Sequence, residues 1–159
     1  MELELPRGIL GIGLSRPKNP INVGAVLRAA GIYDAELVAT SGRRHDPTAP
    51  TNTHRADKGM PFFPGLDSVF DALPYNCAPV AVEYRDDAEP LPLYKHPPRA
   101  FYIFGAEDQT LGPDITERCR DTVYIPAGIH NLAAAVNVVL YDRRAKRVRR
   151  TAAEQQVDD

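Results

Sequence analysis

The sequence predicts an α/β fold: a mostly parallel sheet with helices on both faces. Three observations carry that prediction. Short apolar runs alternate with segments of helical periodicity, the order of repeated strand–helix–strand units. Three of the apolar runs end in polar corners that carry glycine, and a helical pattern follows each. The final helical segment bears a core-facing stripe, with Leu132, Ala135, Val136, Val139 and Leu140 at i, i+3, i+4, i+7 and i+8.

The elements follow in order. The run Ile-Leu-Gly-Ile-Gly-Leu at 9–14 reads as a first strand, and residues 22–33 as a helix ending near Gly31. A second strand covers 36–40 and a polar loop with Pro47 and Pro50 covers 41–58. A brief strand is expected at 60–63 and a short helix at 67–73, with Asp67 as its N-cap. Strands at 79–84, 100–104 and 122–125 are separated by a proline-rich loop at 86–98 and a helical turn or two at 114–120. The last helix starts at Asn131 and is expected to end near Lys146. Ala133, Ala134, Val138 and Tyr141 put small or apolar groups on its other faces, where a surface helix would be polar. A subunit interface accounts for that; a helix buried within one chain is the alternative.

A chain of 159 residues, 43% of them hydrophobic, suffices for one domain with a buried core. That domain is placed at residues 1–150, with 151–159 as a flexible tail. The formal charge of -2 announces no large nucleic-acid footprint. Cations nevertheless gather at Arg143, Arg144, Lys146, Arg147, Arg149 and Arg150. Such a run suits a helix C-terminus and equally offers contacts to phosphate. Cys77 and Cys119 form no CxxC pair and have no histidine at ligand spacing, so no metal site is expected. His45, His54, His96 and His130 are scattered and read as surface or structural residues. With no signal-peptide pattern and no apolar run of about 18 residues, no membrane partner is expected. The expected compartment is cytoplasmic and reducing.

The three corners carry the chemistry. In the first, Asn19-Pro20-Ile21-Asn22-Val23-Gly24 leads into a helix bearing Arg28, and Asn22 and Arg28 read as groups that meet one anionic or ribose ligand. A plain turn and a solvated arginine are the alternative. In the second, Phe104-Gly105-Ala106-Glu107 ends a strand, where glycine lets a ligand approach the backbone and Glu107 offers an acceptor; the alternative is a loop carboxylate in water. In the third, Ile125-Pro126-Ala127-Gly128 precedes Asn131-Leu132, and Asn131 is also a natural N-cap. Three such strand ends together describe a small-molecule cleft at the carboxyl edge of the sheet.

Other chemistries are excluded. Gly11-x-Gly13 lacks the third glycine of a dinucleotide fingerprint, and the second strand ends in Thr40 rather than an acid. Neither a Walker A sequence nor a Gly-x-Ser-x-Gly elbow is present.

The three corners, in this order, resemble the SPOUT superfamily of RNA methyltransferases, in its SpoU/TrmH-like branch, over nearly the whole chain. Asn22-x-Gly24-x-x-x-Arg28 matches the first motif and Gly105-x-Glu107 the second. Pro126, Asn131-Leu132 and Leu140-Tyr141-Asp142 match the third. The resemblance implies a C-terminal trefoil knot, a rare exception to unknotted chain topology. It implies S-adenosylmethionine as cofactor, held by Phe104, Gly105, Ile125, Pro126, Asn131 and Leu132 with Glu107 beside them. It implies methyl transfer to a ribose 2′-oxygen of RNA, with tRNA as the expected substrate. Arg28 is then the catalytic residue, with Asn22 and Glu107 in support. A homodimer through the last helix is implied, and Arg28, Arg43 and Arg44, with His45, are the expected RNA contacts. The chain departs from the family at Thr110, usually Gly, and at Ile129 and Ala133, usually Ser. Those lost hydroxyls keep a second expectation open, a SPOUT-like protein that binds RNA or S-adenosylmethionine without transfer.

Overall fold

The computed structural model describes residues 3–44 and 59–158; the expected loop residues 45–58, with His45 and His54, lie outside them. The elements are β1 (Ile9–Leu14), α1 (Pro20–Ile32), β2 (Leu37–Ser41), β3 (Phe62–Leu66), β4 (Ala78–Val82), β5 (Glu89–Pro90), β6 (Arg99–Phe104), α2 (Pro113–Thr116), β7 (Asp121–Tyr124) and α3 (Leu132–Val157). Single 3-10 turns lie at Val69–Ala72 and Leu91–Leu93. Among the described residues, seven strands form one sheet in the order β3-β2-β1-β6-β4-β7-β5. Every pairing is parallel.

Alternation along the central strands sorts the core into two layers. Leu10, Ile12 and Leu14 of β1, with Ala100, Tyr102 and Phe104 of β6, face α1 and α3. Their odd-numbered neighbours Phe101 and Ile103 face the other side, under the 3-10 turn at Val69 and under Leu111 and Ile115. Helices thus cover both faces, the two long ones on the same face and only short elements on the other.

The glycines of β1 serve this second layer. Gly11 lies beside Phe101 in register. A Cβ on Gly11 would stand 2.7 Å from Phe101 Cδ2, and one on Gly13 would stand 2.9 Å from Phe101 Cε1 and 3.2 Å from Val69 Cβ. Because Phe101 is fully buried, its ring has nowhere to retreat. The Gly-x-Gly pair is therefore a slot for an aromatic ring.

Asn19 starts α1: its Oδ1 accepts from the Ile21 N–H at 2.9 Å, and Pro20 occupies the first turn, where a missing N–H costs nothing. The predicted stripe of α3 buries Leu132, Val136, Val139 and Leu140, whereas Tyr141 stays 64% exposed. Arg143 is 3% exposed. Its Nη1 donates to the Pro97 carbonyl at 2.8 Å, and its Nη2 donates to Pro98 at 2.9 Å and Ile9 at 3.3 Å. Beside it, His96 lies between Tyr102 Oη (2.6 Å from Nδ1) and Asp142 Oδ2 (2.7 Å from Nε2). Asp142 only accepts, so Nε2 carries the proton and Nδ1 accepts from Tyr102, whose hydroxyl burial keeps protonated. Lys146 closes the group, 2.7 Å from Asp142.

Several boundaries differ from expectation. The helix expected to end near Lys146 runs to Val157, so residues 151–157 of the expected tail continue it, with Thr151 buried. The basic run resembles a C-terminus, but Thr-Ala-Ala-Glu-Gln-Gln beyond it sustains a helix. The short helix expected at 67–73 is one 3-10 turn capped by Ser68, which forms a reciprocal capping box with Asp71. The proline-rich loop holds a two-residue strand, β5, at the sheet edge, where Pro90 costs no ladder bond.

Two outcomes follow for stability. Gly13→Ala should destabilise the fold by about 1–3 kcal/mol through overpacking, with Phe101→Leu in the same chain recovering part of the loss; urea unfolding reads both. Burial lowers the His96 pKa below its ordinary 6.5, outweighing the pull of Asp142. The unfolded chain therefore takes up that proton more readily than the folded one. His96 should contribute full stability above about pH 6.5 and lose it as the pH falls below that value, and unfolding curves of wild type and His96→Gln across this range measure the difference.

Candidate functional site

A parallel sheet brings the carboxyl ends of its strands to one edge, so Leu14, Ser41, Val82, Phe104 and Tyr124 share it. At that edge β1 and β6, which are neighbours, part company. β1 continues through α1 on one face to β2, and β6 continues through α2 on the other face to β7, on the opposite side of the sheet. Diverging connections open a crevice between adjacent strands, the place where open α/β sheets hold ligands.

Glu107 spans this crevice. Its Oε1 accepts from Asn22 Nδ2 at 2.7 Å and its Oε2 from the Lys18 N–H at 3.3 Å. The Ser15 N–H donates to the Phe104 carbonyl at 2.9 Å, continuing the β1–β6 ladder into the loops. Partial burial alone would raise the Glu107 pKa, but the hydrogen bonds from Asn22, from its own N–H and from the N–H groups of Lys18 and Asn19 outweigh it and hold the carboxyl below its ordinary value. Glu107 is thus an ionised acceptor that joins the first two corners.

The second corner turns tightly on Gly105. A Cβ there would stand 2.9 Å from the Gln109 carbonyl oxygen and 3.5 Å from Leu111 Cγ. Leu111 is buried, and its N–H donates to Glu83 Oε2 at 2.7 Å. Glu83, just past β4, thus braces the second corner, a contact that sequence reasoning missed. An acid directly after the Val-Ala-Val run was its only signal. Thr110, where the family usually has glycine, is exposed.

In the third corner, Ile125 and Pro126 leave β7, and the Ala127 N–H closes back on the Ile125 carbonyl at 2.8 Å. Asn131 Oδ1 accepts from the Ala134 N–H at 2.8 Å, so its side chain caps α3. Leu132 is buried beneath it. A Cβ on Gly128 would meet nothing within 4 Å, and Ile129 is fully exposed. β4 separates this corner's strand from β6.

The basic residues are placed unequally. Asn22 turns to Glu107 and not to Arg28: six residues along a helix amount to about 9 Å of rise and about 120° of rotation. Arg28 and Arg43 are exposed. Arg44 donates to Asp108 Oδ2 at 2.6 Å and to the Arg16 carbonyl at 3.3 Å, and that bond to Arg44 holds the Asp108 carboxyl below its ordinary range. Among the described residues, no cluster of three or more histidine, cysteine or acidic side chains has metal-binding geometry.

This architecture is an open parallel α/β sheet with a switch point between β1 and β6 at its carboxyl edge, the place where such sheets hold ligands. Residues 10–141 match the model of the SpoU rRNA Methylase family, and the chain belongs to that family. None of the curated protein sequences matches it. Among solved structures, the fold is similar to the SpoU methyltransferase AviRb from Streptomyces viridochromogenes in complex with AdoMet, with TM-score 0.79, 20% identity, and coverage of 92% of this chain and 60% of that one. It is similar to the TrmH/SpoU tRNA modifying enzyme of A. aeolicus, with TM-score 0.76, 17% identity, and coverage of 92% and 79%. It is also similar to a structure described as giving insight into the 2-OH methylation of C/U34 on tRNA, with TM-score 0.71, 22% identity, and coverage of 86% and 89%. The chain spans about 60% of the length of the AviRb chain.

Asn22→Ala should raise the Glu107 pKa toward its ordinary value by removing the strongest hydrogen bond to the carboxylate. A carboxyl-carbon NMR titration of Glu107 in wild type and variant measures it; an unmoved midpoint contradicts the joint.

Proposed function

We propose that this chain is an S-adenosylmethionine-dependent RNA methyltransferase that acts on a ribose 2′-hydroxyl, with tRNA as the substrate class. The observation that carries the proposal is the Asn22–Glu107 bond across the β1–β6 crevice, in a chain of the SpoU rRNA Methylase family. The AdoMet complex and the tRNA-modifying structures among its structural likenesses support the choice of cofactor and substrate.

The residues present fit that cofactor. Gly105 lets the backbone pass where a Cβ would be blocked, and Leu111 and Leu132 give the two corners a buried apolar base. Backbone groups of Phe104, Gly105, Ile125, Pro126, Asn131 and Leu132 would hold it. S-adenosylmethionine, when bound, supplies a methyl group on a sulfonium. Asn22 and Glu107 fix the start of α1 against the end of β6, and so set where the substrate ribose lies relative to both corners. A guanidinium is a poor general base, so Arg28 is not assigned that role. Its role is to hold a substrate phosphate and to donate hydrogen bonds to the 2′-oxygen, whose proton passes to solvent as the methyl group is transferred. Arg43 and Arg44 extend the RNA-facing surface.

A homodimer through α3, a C-terminal trefoil knot and a cytoplasmic site of action belong to the same proposal. Ile21 and Ile32 on α1 and Tyr141 on α3 are exposed apolar groups that a second copy would cover. Among the described residues, no helix is long and apolar enough to cross a membrane. A second reading is favoured by one feature of the third corner. The wholly exposed Ile129, with Ala133, stands where the family usually has hydroxyls, as it would in a protein that binds RNA or cofactor without transfer.

Methyl-labelled S-adenosylmethionine incubated with total RNA, followed by nucleoside analysis, tests the proposal. The expected product is a 2′-O-methylnucleoside in tRNA. Arg28→Ala should lower transfer by about 100-fold or more with cofactor affinity kept. Tight cofactor binding with no transfer to any RNA would contradict the proposal and favour the second reading.

A further inference from the structure

A cleft of about 530 Å³ lies alongside the β1–β6 crevice. Four arginines line it, Arg16, Arg43, Arg44 and Arg118, against two aspartates, Asp67 and Asp114. With Arg44 paired to Asp108, Arg16, Arg43 and Arg118 stand against the two aspartates, a small local excess of positive charge in a chain whose net charge is -2. Its volume falls in the range of built ligand sites, about 300–1,000 Å³.

Arg16 is the unusual member. Its φ is 51°, in the left-handed region that long side chains avoid because Cβ crowds the following carbonyl. The neighbourhood holds it there from both sides. Its N–H donates to Ser41 Oγ at 3.1 Å, and its carbonyl accepts from Arg44 Nη1 at 3.3 Å. Gly42, with φ 76°, runs against it, and a Cβ on Gly42 would stand 3.2 Å from Arg16 Cγ. The result is an exposed guanidinium presented to the cleft two residues before Lys18, whose N–H meets Glu107. Strain that its surroundings over-determine clusters at functional sites.

Arg118 is held differently. Its guanidinium lies over the Phe70 ring, 3.9 Å from the centroid. Stacking fixes the plane of the fork and leaves its edge N–H groups to donate, the geometry that suits phosphate oxygens. The cleft also touches the candidate site directly, because Arg44 bonds Asp108, the neighbour of Glu107.

We infer that this cleft carries the sugar-phosphate backbone of the RNA strand beside the target nucleotide, with Arg16 and Arg118 as phosphate-contacting residues. The inference rests on the proposed RNA methyltransferase activity and names two residues that none of the family motifs contains. Recognition through phosphate positions the strand without reading its bases.

Binding of unfractionated tRNA and of a single-stranded RNA of about 12 nucleotides, measured across a salt series, tests this directly. Arg16→Gln and Arg118→Gln should each weaken RNA binding about 5- to 10-fold at low salt and reduce the salt slope by about 0.7, the value for one phosphate contact on a single strand. KM for RNA should rise by a similar factor with kcat and S-adenosylmethionine affinity unmoved. Arg120→Gln, at the start of β7 on the opposite edge, is the charge-loss control and should bind as wild type. Arg16→Gly adds a readout that a merely structural role would not give. It relieves the left-handed strain, so the melting temperature should rise by a few degrees while RNA affinity falls as in Arg16→Gln. Arg16 and Arg118 variants with wild-type affinity and slope, in an enzyme that methylates RNA, overturn the inference and leave the activity standing. A wild-type protein that neither binds nor methylates RNA overturns both.

Discussion

Arg143 spends its guanidinium hydrogens on the carbonyls of Pro97, Pro98 and Ile9, where β6 and β1 begin. A buried cation that satisfies three carbonyls is costly to disturb, because removing it strands the acceptors it served. His96, Asp142 and Lys146 brace the same turn of α3. The anchor acts at a distance. From Arg143 back to Leu132 is eleven residues, roughly 16 Å of helix. The six residues of β6 span a similar length, roughly 17 Å at 3.3 Å per residue. A helix pinned at the amino edge of the sheet therefore delivers its own N-terminus, with Asn131 and Leu132, to the carboxyl edge where the other two corners stand.

At that edge the connections after β1 and β6 diverge, and Glu107 spans the gap they leave. Its carboxylate is ionised because Asn22 and backbone N–H groups supply more than burial takes away. The same few residues carry the strain in this part of the molecule. Arg16 keeps a left-handed backbone while Gly42 supplies the neighbouring one at no steric cost. Loops shaped this way favour a defined surface over maximal stability, a trade common where ligands bind.

Much of this was legible in the sequence, and the failures have physical causes. Continuous apolar runs between helical patterns and the stripe on α3 report burial directly, so the parallel α/β class and the core face of the last helix could be read. Of the three corners, the first two are joined by the Asn22–Glu107 bond, whereas in the third Asn131 serves as the N-cap of α3, the alternative its sequence also allowed. Helix ends were harder. The cluster from Arg143 to Arg150 looks like a C-terminus from charge alone, yet Arg143 is buried and the helix continues for about two more turns, to Val157. Gly11 and Gly13 looked like a truncated nucleotide fingerprint because sequence does not show that Phe101, some ninety residues later, needs their space. Glu83, Arg16 and Arg118 were invisible for the same reason. Each owes its role to a partner far along the chain, through Leu111, Ser41 and Phe70.

The central claim is that the corners after β6 and β7 form one S-adenosylmethionine site at the carboxyl edge of the sheet. Amide NMR of isotope-labelled protein, titrated with S-adenosylmethionine, tests it most directly. Saturable shifts are predicted at the non-proline residues of 104–111 and 125–132, with the amides of Arg99 and of residues 143–147 at the opposite edge unmoved. Shifts confined to that opposite edge, or no saturable shift at either corner, would contradict it.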